Sequence, residues 1–277
     1  MSDTANRFRH EAMATRFEIR IAAADAHYAR QAADAAFAEI DRLERLWSRF
    51  QDNSDIGRLN RAAGKSAVRI APETARLLEI AARMQAATAG AFDVTAGSRP
   101  EVYDPAVRAG ALRMDAPQLS ARLNEEGWRV DAGGIAKGMA LDLAGRLLEE
   151  DWELPRALLI AGGGSTVLAV DPPAGEEGWR VRAAPDDEVD FLRRRAVSAS
   201  GGAVKGAHIL DPRTGTPAHA GVRRAWAWAP GGAESDALST ALFVLGASEA
   251  QSVLSGNPQW SARFLREQEP LQEPLIG

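Results

Sequence analysis

"VDAGGIAKGMALDLAGRLLEE", residues 130–150, and "RALLIAGGGSTVLAV", residues 156–170, decide the fold class of this chain. In the first, Ala136, Ala140, Leu143 and Leu147 recur at steps of three and four, which gathers their side chains on one face of a helix. The glycines ahead of it read as a turn. In the second, a continuous apolar run reads as a buried strand broken by three glycines at 162–164. Glycine there marks either a bulge or the close approach of another backbone or a ligand, and both readings are open.

The glycine turn is not a P-loop. Gly133 and Gly138 have the required spacing, but Met139 stands where lysine is needed and the Ser or Thr is missing. Nor does a G-x-G-x-x-G follow any strand, so a dinucleotide fingerprint is absent. What remains is a backbone able to approach a ligand just ahead of a helix N-terminus, a place that favours an anion. A turn demanded by packing alone accounts for the same residues.

Outward from this centre, "TRFEIRIA" alternates Phe17, Ile19 and Ile21 with charged residues and predicts a half-buried strand. A helix follows through Phe37, Ile40, Leu43 and Trp47. Pro72 opens another, carrying Leu77, Leu78, Ala81 and Met84, and Gly90 of "TAGAF" suits its left-handed cap. Residues 96–128 are weakly periodic. Shorter strands are expected at "WRVRAA", "RRAVSAS" and "VRRAWAWAP", the last leading into a final long helix. Strands cluster between helices without regular alternation, so the fold class is α+β.

The chain has 277 residues, 45% of them hydrophobic and 26% charged, with a net charge of −5. That is an ordinary globular composition with no global attraction to nucleic acid. Arg193, Arg194 and Arg195 form the densest basic run, which a solvated loop explains. With no cysteine, disulfides, thiolate nucleophiles and Cys-based zinc sites drop out. No secretory leader and no apolar stretch approaching ~20 residues is evident, so a cytoplasmic location without a membrane span is expected, or a periplasmic one if a leader was removed. Trp226 and Trp228, on one face of a strand, are expected in the core.

Two places carry candidate chemistry. In "ESDALSTALFVLG", residues 234–246, Asp236 and Thr240 lie one helical turn apart and can converge on one small object. Ser235 or Asp236 also reads as a helix cap. Magnesium, which needs only one or two carboxylates, further oxygens, water and a substrate's phosphates, suits the pair; transition metals do not, because no H-E-x-x-H is present. In "AHILDPRTGTPA", His208 stands just before an Asp-Pro turn, where a neutral imidazole could accept a proton. A purely structural histidine is the plain alternative.

Taken in order, "MATRFEI", "SRF" with "NSDIGRLN", "TAGAFDVT", "VDAGGIAKGMALDLA", "GGG", "SASG" with "HILDPRTGTPA", and "SDALSTALFVLG" cover nearly the whole chain and resemble the ApbE family of FAD:protein FMN transferases. The resemblance implies one domain over residues 1–277, or two closely packed lobes, in a T-fold-like α+β arrangement of mixed sheets with flanking helices and an FAD cleft. It implies magnesium-dependent transfer of FMN from FAD to a threonine hydroxyl of an acceptor protein, with release of AMP. Asp236, Thr240 and the main-chain carbonyl of Gly134 would be the metal ligands. Met13, Phe50, Ala91, Phe92, Asp93, Asp131, Lys137, Ile209 and Ala237 would line the FAD site, with His208 assisting deprotonation of the acceptor. Ser165, Ala199 and Gly202 depart from the family pattern, which commonly has Asp or Asn, Thr and an acidic residue there. A magnesium-dependent FAD pyrophosphatase and a noncatalytic flavin-binding protein are the competing readings.

Overall fold

A computed structural model of the chain describes residues 5–99, 101–102, 104–183, 189–201, 209–218 and 221–266. In chain order the first half contains β1 (Asn6–Ala12), β2 (Thr15–Ile21), α1 (Ala26–Trp47), α2 (Asp55–Arg61), β3 (Val68–Arg69), α3 (Pro72–Ala87), α4 (Pro105–Ala109), β4 (Leu112–Asp115) and β5 (Ser120–Leu123). The second contains α5 (Ala136–Glu150), β6 (Ala157–Ala161), β7 (Thr166–Ala169), β8 (Trp179–Val181), β9 (Asp190–Leu192), β10 (Arg195–Gly201), β11 (Leu210–Asp211), β12 (Thr216–Pro217), β13 (Val222–Ala229), α6 (Gly232–Ser255) and β14 (Ser261–Arg266).

Seven strands form the main sheet in the order β1-β2-β6-β7-β10-β13-β14, and every pairing among the described strands is antiparallel. Alternation along the strands splits the core in two. Phe17, Ile19, Leu159, Leu168, Ala225 and Ala227 face the helical layer of α1, α5 and α6. Leu158, Ile160, Val167, Trp226 and Trp228 face the other way, beneath Trp179, Val181 and Leu192 of the β8–β9 hairpin. The two tryptophans are core residues. Of the basic run, Arg194 pairs with Asp171 and Glu149, and Arg195 donates to Ser261.

The local rules hold where the signal is local. Asp25 caps α1 by accepting from the amides of His27 and Tyr28. Pro72 is the first residue of α3, and Gly90, with φ 80°, follows its end. The glycines at 162–164 do more than break a strand. All three have positive φ, and the chain reverses through them so that β6 and β7 pair directly, Ala161 opposite Thr166. β1 was not expected from the sequence. It joins β2 through Met13 and Ala14, whose φ values of 51° and 55° match a hairpin turn that follows the sheet twist.

The start of α6 corrects the cap expectation. Neither Ser235 nor Asp236 is its cap; the N-cap is Gly231, which has no side chain to offer. Asp142 of α5 supplies the acceptors from outside, its two oxygens taking the amides of Gly232 at 2.6 Å and Ala233 at 2.9 Å. Among the described residues, α6 is also the one helix long and apolar enough to suit a bilayer. It packs against β10, β13 and α5, and helical geometry breaks inside it at Gly246, with φ 67° and ψ 177°.

Candidate active site

The site forms where the first turns of α5 and α6 cross. A β-carbon on Gly138 would lie 2.0 Å from the carbonyl oxygen of Gly232, and one on Gly232 would lie 2.5 Å from that of Gly138. Only two glycines let the backbones meet so closely. One turn beyond Gly232, buried Asp236 projects onto the start of α5. Its carboxylate accepts from the Lys137 ammonium at 3.2 and 3.4 Å, from the Gly138 amide at 3.2 Å and from the Thr166 hydroxyl at 3.4 Å. The Gly138 amide is a first-turn donor without an intrahelical acceptor, so Asp236 also satisfies the end of α5.

Thr240 sits one turn further on. Its hydroxyl donates to the Asp236 carbonyl at 3.3 Å and lies 3.2 Å from the Ser200 hydroxyl, which is itself 2.8 Å from that of Ser239. Gly134 comes to the same place from the turn before α5. A β-carbon there would be 3.5 Å from the Thr240 hydroxyl and 3.3 Å from the Phe92 ring. Asp236, Thr240, Gly134, Lys137 and Phe92, distant in sequence, are therefore neighbours. The 162–164 turn runs beside the Lys137 stem, 3.7 Å from where a β-carbon on Gly162 would be.

A polar chain leads from this centre to an exposed aromatic. Lys137 donates to the Gly133 carbonyl at 3.2 Å, and the Gly133 amide donates to Asp131 at 2.9 Å. Asp131 pairs with Arg49 at 3.3 Å, and the Arg49 guanidinium lies 4.5 Å from the centre of the Phe50 ring. Phe50 is 82% exposed, an unusual state for a phenylalanine and a free face for a planar ligand. Met13 at the β1–β2 turn and Ile209 are both partly buried against the main core.

Ala91, Ala237 and Asp93, predicted for the cleft, are buried. Ala91 and Ala237 are closed off from solvent and act here as packing. Asp93 does not turn its carboxylate outward. One oxygen accepts from the Thr95 amide and hydroxyl, both at 2.7 Å, and the other takes Arg108 at 2.6 Å, with both side chains of the pair only 3% exposed. The burial leaves no room for an unpaired charge, so Asp93 shapes the loop. Asp131 in turn anchors to that loop through its amide, which donates to the Val94 carbonyl at 2.7 Å. His208 and Gly202 lie outside the described residues. Ser165 uses its carbonyl to accept from the Ala199 amide at 2.7 Å, which ties the two departures together structurally.

Sequence reasoning missed Thr166, Ser200, Arg108 and Asp142. Thr166 and Ser200 follow motif glycine and serine runs, but only the β7–β10 register, Ser198 opposite Thr166, carries them to Asp236 and Thr240. Arg108 lies in the weakly periodic stretch.

Among the described residues, no three His, Cys, Asp or Glu side chains gather as a metal centre. The oxygens gathered here are the Asp236 carboxylate and the hydroxyls of Thr240, Thr166 and Ser200, with Gly134 alongside, hard donors of the kind that fit magnesium. The contacts to Asp236 are also longer than the 2.7–2.9 Å usual for charge-assisted bonds. Lys137 balances the carboxylate without gripping it.

Fold and site together define a class: an antiparallel α+β protein in which a buried carboxylate, a lysine, hydroxyls and a glycine-rich helix start meet where two helices cross. Within that class the chain belongs to the ApbE family, whose family model matches residues 13–264. It is similar to a protein of Treponema pallidum (strain Nichols) named FAD:protein FMN transferase, with 28% identity over 284 residues, 84% of this chain and 76% of the relative. A Klebsiella pneumoniae (strain 342) protein of the same name is 26% identical over 256 residues, 78% of this chain and 72% of the relative. The solved ApbE protein of Thermotoga maritima has 25% identity and a TM-score of 0.81, covering 97% of this chain and 96% of its own. The Vibrio cholerae flavin transferase ApbE shares the fold, with 20% identity, a TM-score of 0.77 and coverage of 96% and 95%.

Proposed function

We propose that this chain transfers FMN from FAD to a threonine hydroxyl of an acceptor protein and releases AMP in a magnesium-dependent reaction. The observation that carries the reading is the meeting of Asp236, Thr240, Gly134 and Lys137 at the crossing of α5 and α6, in a chain of the ApbE family. Asp236, Thr240 and the Gly134 carbonyl would hold magnesium, which when bound offsets negative charge on the bridging and leaving oxygens of the pyrophosphate. Lys137, already beside Asp236, adds a second cation that can turn to a phosphate oxygen. Phe50 offers its open face to the flavin ring.

In the transfer, the acceptor oxygen bonds to the phosphorus on the riboflavin side as the pyrophosphate bond breaks. AMP leaves with the bond's electron pair. The hydroxyl proton goes to a base, for which the family resemblance offers His208. A poor nucleophile such as threonine depends on being held in line, so acceptor positioning matters as much as the base.

The test is to incubate the protein with FAD, magnesium and a peptide bearing an acceptor threonine, then measure AMP and flavin that survives denaturation. Both are expected, and Asp236→Ala is expected to lower both by about 100-fold or more, the scale of losing one electrostatic stabiliser. AMP without covalent flavin would identify a pyrophosphatase instead. FAD binding with no AMP, with or without magnesium, would overturn the enzymatic reading.

A further inference from the structure

We infer that Asp142 is a positioning residue for this site: from the second turn of α5 its carboxylate sets the first turn of α6, and through it the stance of Asp236 and Thr240. The inference rests on the flavin-transfer reading above and extends it to a residue that touches neither metal nor nucleotide.

Helix α6 cannot fix its own start, because Gly231 and Gly232 bring no side chains and the amides of its first turn lack intrahelical acceptors. Asp142 takes two of those amides with two separate oxygens, at 2.6 and 2.9 Å, so the turn is held in both translation and rotation. The fit is close, since a β-carbon on Gly231 would stand 3.3 Å from an Asp142 oxygen. One turn earlier on the same face of α5, Gly138 touches the Gly232 carbonyl and donates to Asp236. Asp142 and Gly138 thus form a row along α5 that meets Gly232, Ala233 and Asp236 along α6, with Lys137 beside it. Asp236 follows Gly232 by one turn and Thr240 by two, so a shift of the first turn is carried rigidly to both ligands.

The carboxylate holds this place at a cost. Desolvation pushes its pKa up to about 6 against the opposing pull of the two amides, with Glu234 adding repulsion and Arg76 a weaker attraction. A neutral asparagine or serine would cap a helix without that penalty. Negative charge at the positive end of α6, aimed by two bonds, is what a neutral cap does not supply.

The test compares Asp142→Ala and Asp142→Asn with Asp25→Ala, which removes a cap of the same kind from α1, outside the site. The readouts are magnesium binding by calorimetry, the magnesium concentration giving half-maximal AMP release from FAD, and hydrogen exchange at the Gly232 and Ala233 amides. Asp142→Ala is expected to weaken magnesium in both assays by about tenfold or more, the scale of losing an outer partner of a metal ligand. Faster exchange at the two amides should accompany it. Asp142→Asn, which keeps one carbonyl acceptor, should fall between it and the wild type. Asp25→Ala should lose thermal stability with no change in magnesium response. If Asp142→Ala does not fold, the comparison of Asp142→Asn with Asp25→Ala decides. Asp142 variants that lose stability yet keep the wild-type magnesium response would overturn the inference alone. A wild-type protein that neither binds magnesium nor releases AMP would overturn the functional reading and this inference with it.

Discussion

Gly138 and Gly232 touch backbone to backbone, and on that contact the two helices that carry the site are registered. A β-carbon on either would enter the other's carbonyl group, at 2.0 and 2.5 Å. Gly138→Ala must therefore push α5 and α6 apart, since the obstacle is main chain and cannot rotate away. Overpacking of this kind costs about 1–3 kcal/mol or more. Urea denaturation should show that loss, and AMP release should fall further than stability accounts for, because Lys137 separates from Asp236. Wild-type activity in this variant would refute the role of the crossing.

Arg108 holds the loop behind Phe92. It pairs with Asp93 at 2.6 Å, donates to the Thr95 carbonyl at 2.8 Å and to the Val102 carbonyl at 3.0 Å, and stacks on Trp128. Arg108→Met strands a buried carboxylate and is expected to destabilise the protein by about 3–5 kcal/mol. Replacing both partners by apolar residues should recover part of that loss, which a double-mutant cycle in urea would measure.

Phe50 should behave in the opposite way. Its ring is exposed, so Phe50→Ala is expected to leave the unfolding midpoint within about 0.5 kcal/mol of wild type. FAD affinity, followed by flavin fluorescence, should weaken by about 5- to 10-fold, the worth of one aromatic stack. An unchanged affinity would remove Phe50 from the flavin site.

Asp142 makes stability depend on pH. Its folded pKa of about 6 lies above the ordinary 3.8, so between these values the folded chain binds more protons than the unfolded one. The contribution is full below 3.8 and is lost as pH rises through 6, by about 3 kcal/mol over the window. Asp142→Asn removes this titration. Relative to wild type, the variant should gain stability from pH 4 to pH 7 in urea midpoints, and a constant difference would show that burial does not govern the group.

Elements governed by local periodicity were legible. The steps Phe37, Ile40, Leu43 and Trp47 give α1, the alternation of Phe17, Ile19 and Ile21 gives β2, and Pro72 and Gly90 bound α3. β1 was not, because as an edge strand its alternate residues Arg7, Arg9 and Glu11 are exposed and its apolar content is low. The family motifs named Asp236, Thr240, Gly134 and Lys137, and the structure brings them together. The local reading of Ser235 or Asp236 as the cap of α6 failed, because the acceptor comes from Asp142, 90 residues from Gly232.

By itself the sequence determined the α+β class, the helices with one apolar face and the bounds of α3 at Pro72 and Gly90, since each depends on neighbours a few residues off. Tertiary structure alone decided that Asp93 is spent on Arg108, that Thr166 and Ser200 stand at the site, and that Asp142 starts α6. These follow from sheet register and from the angle at which two helices cross, and both are set by packing between segments that share no local pattern.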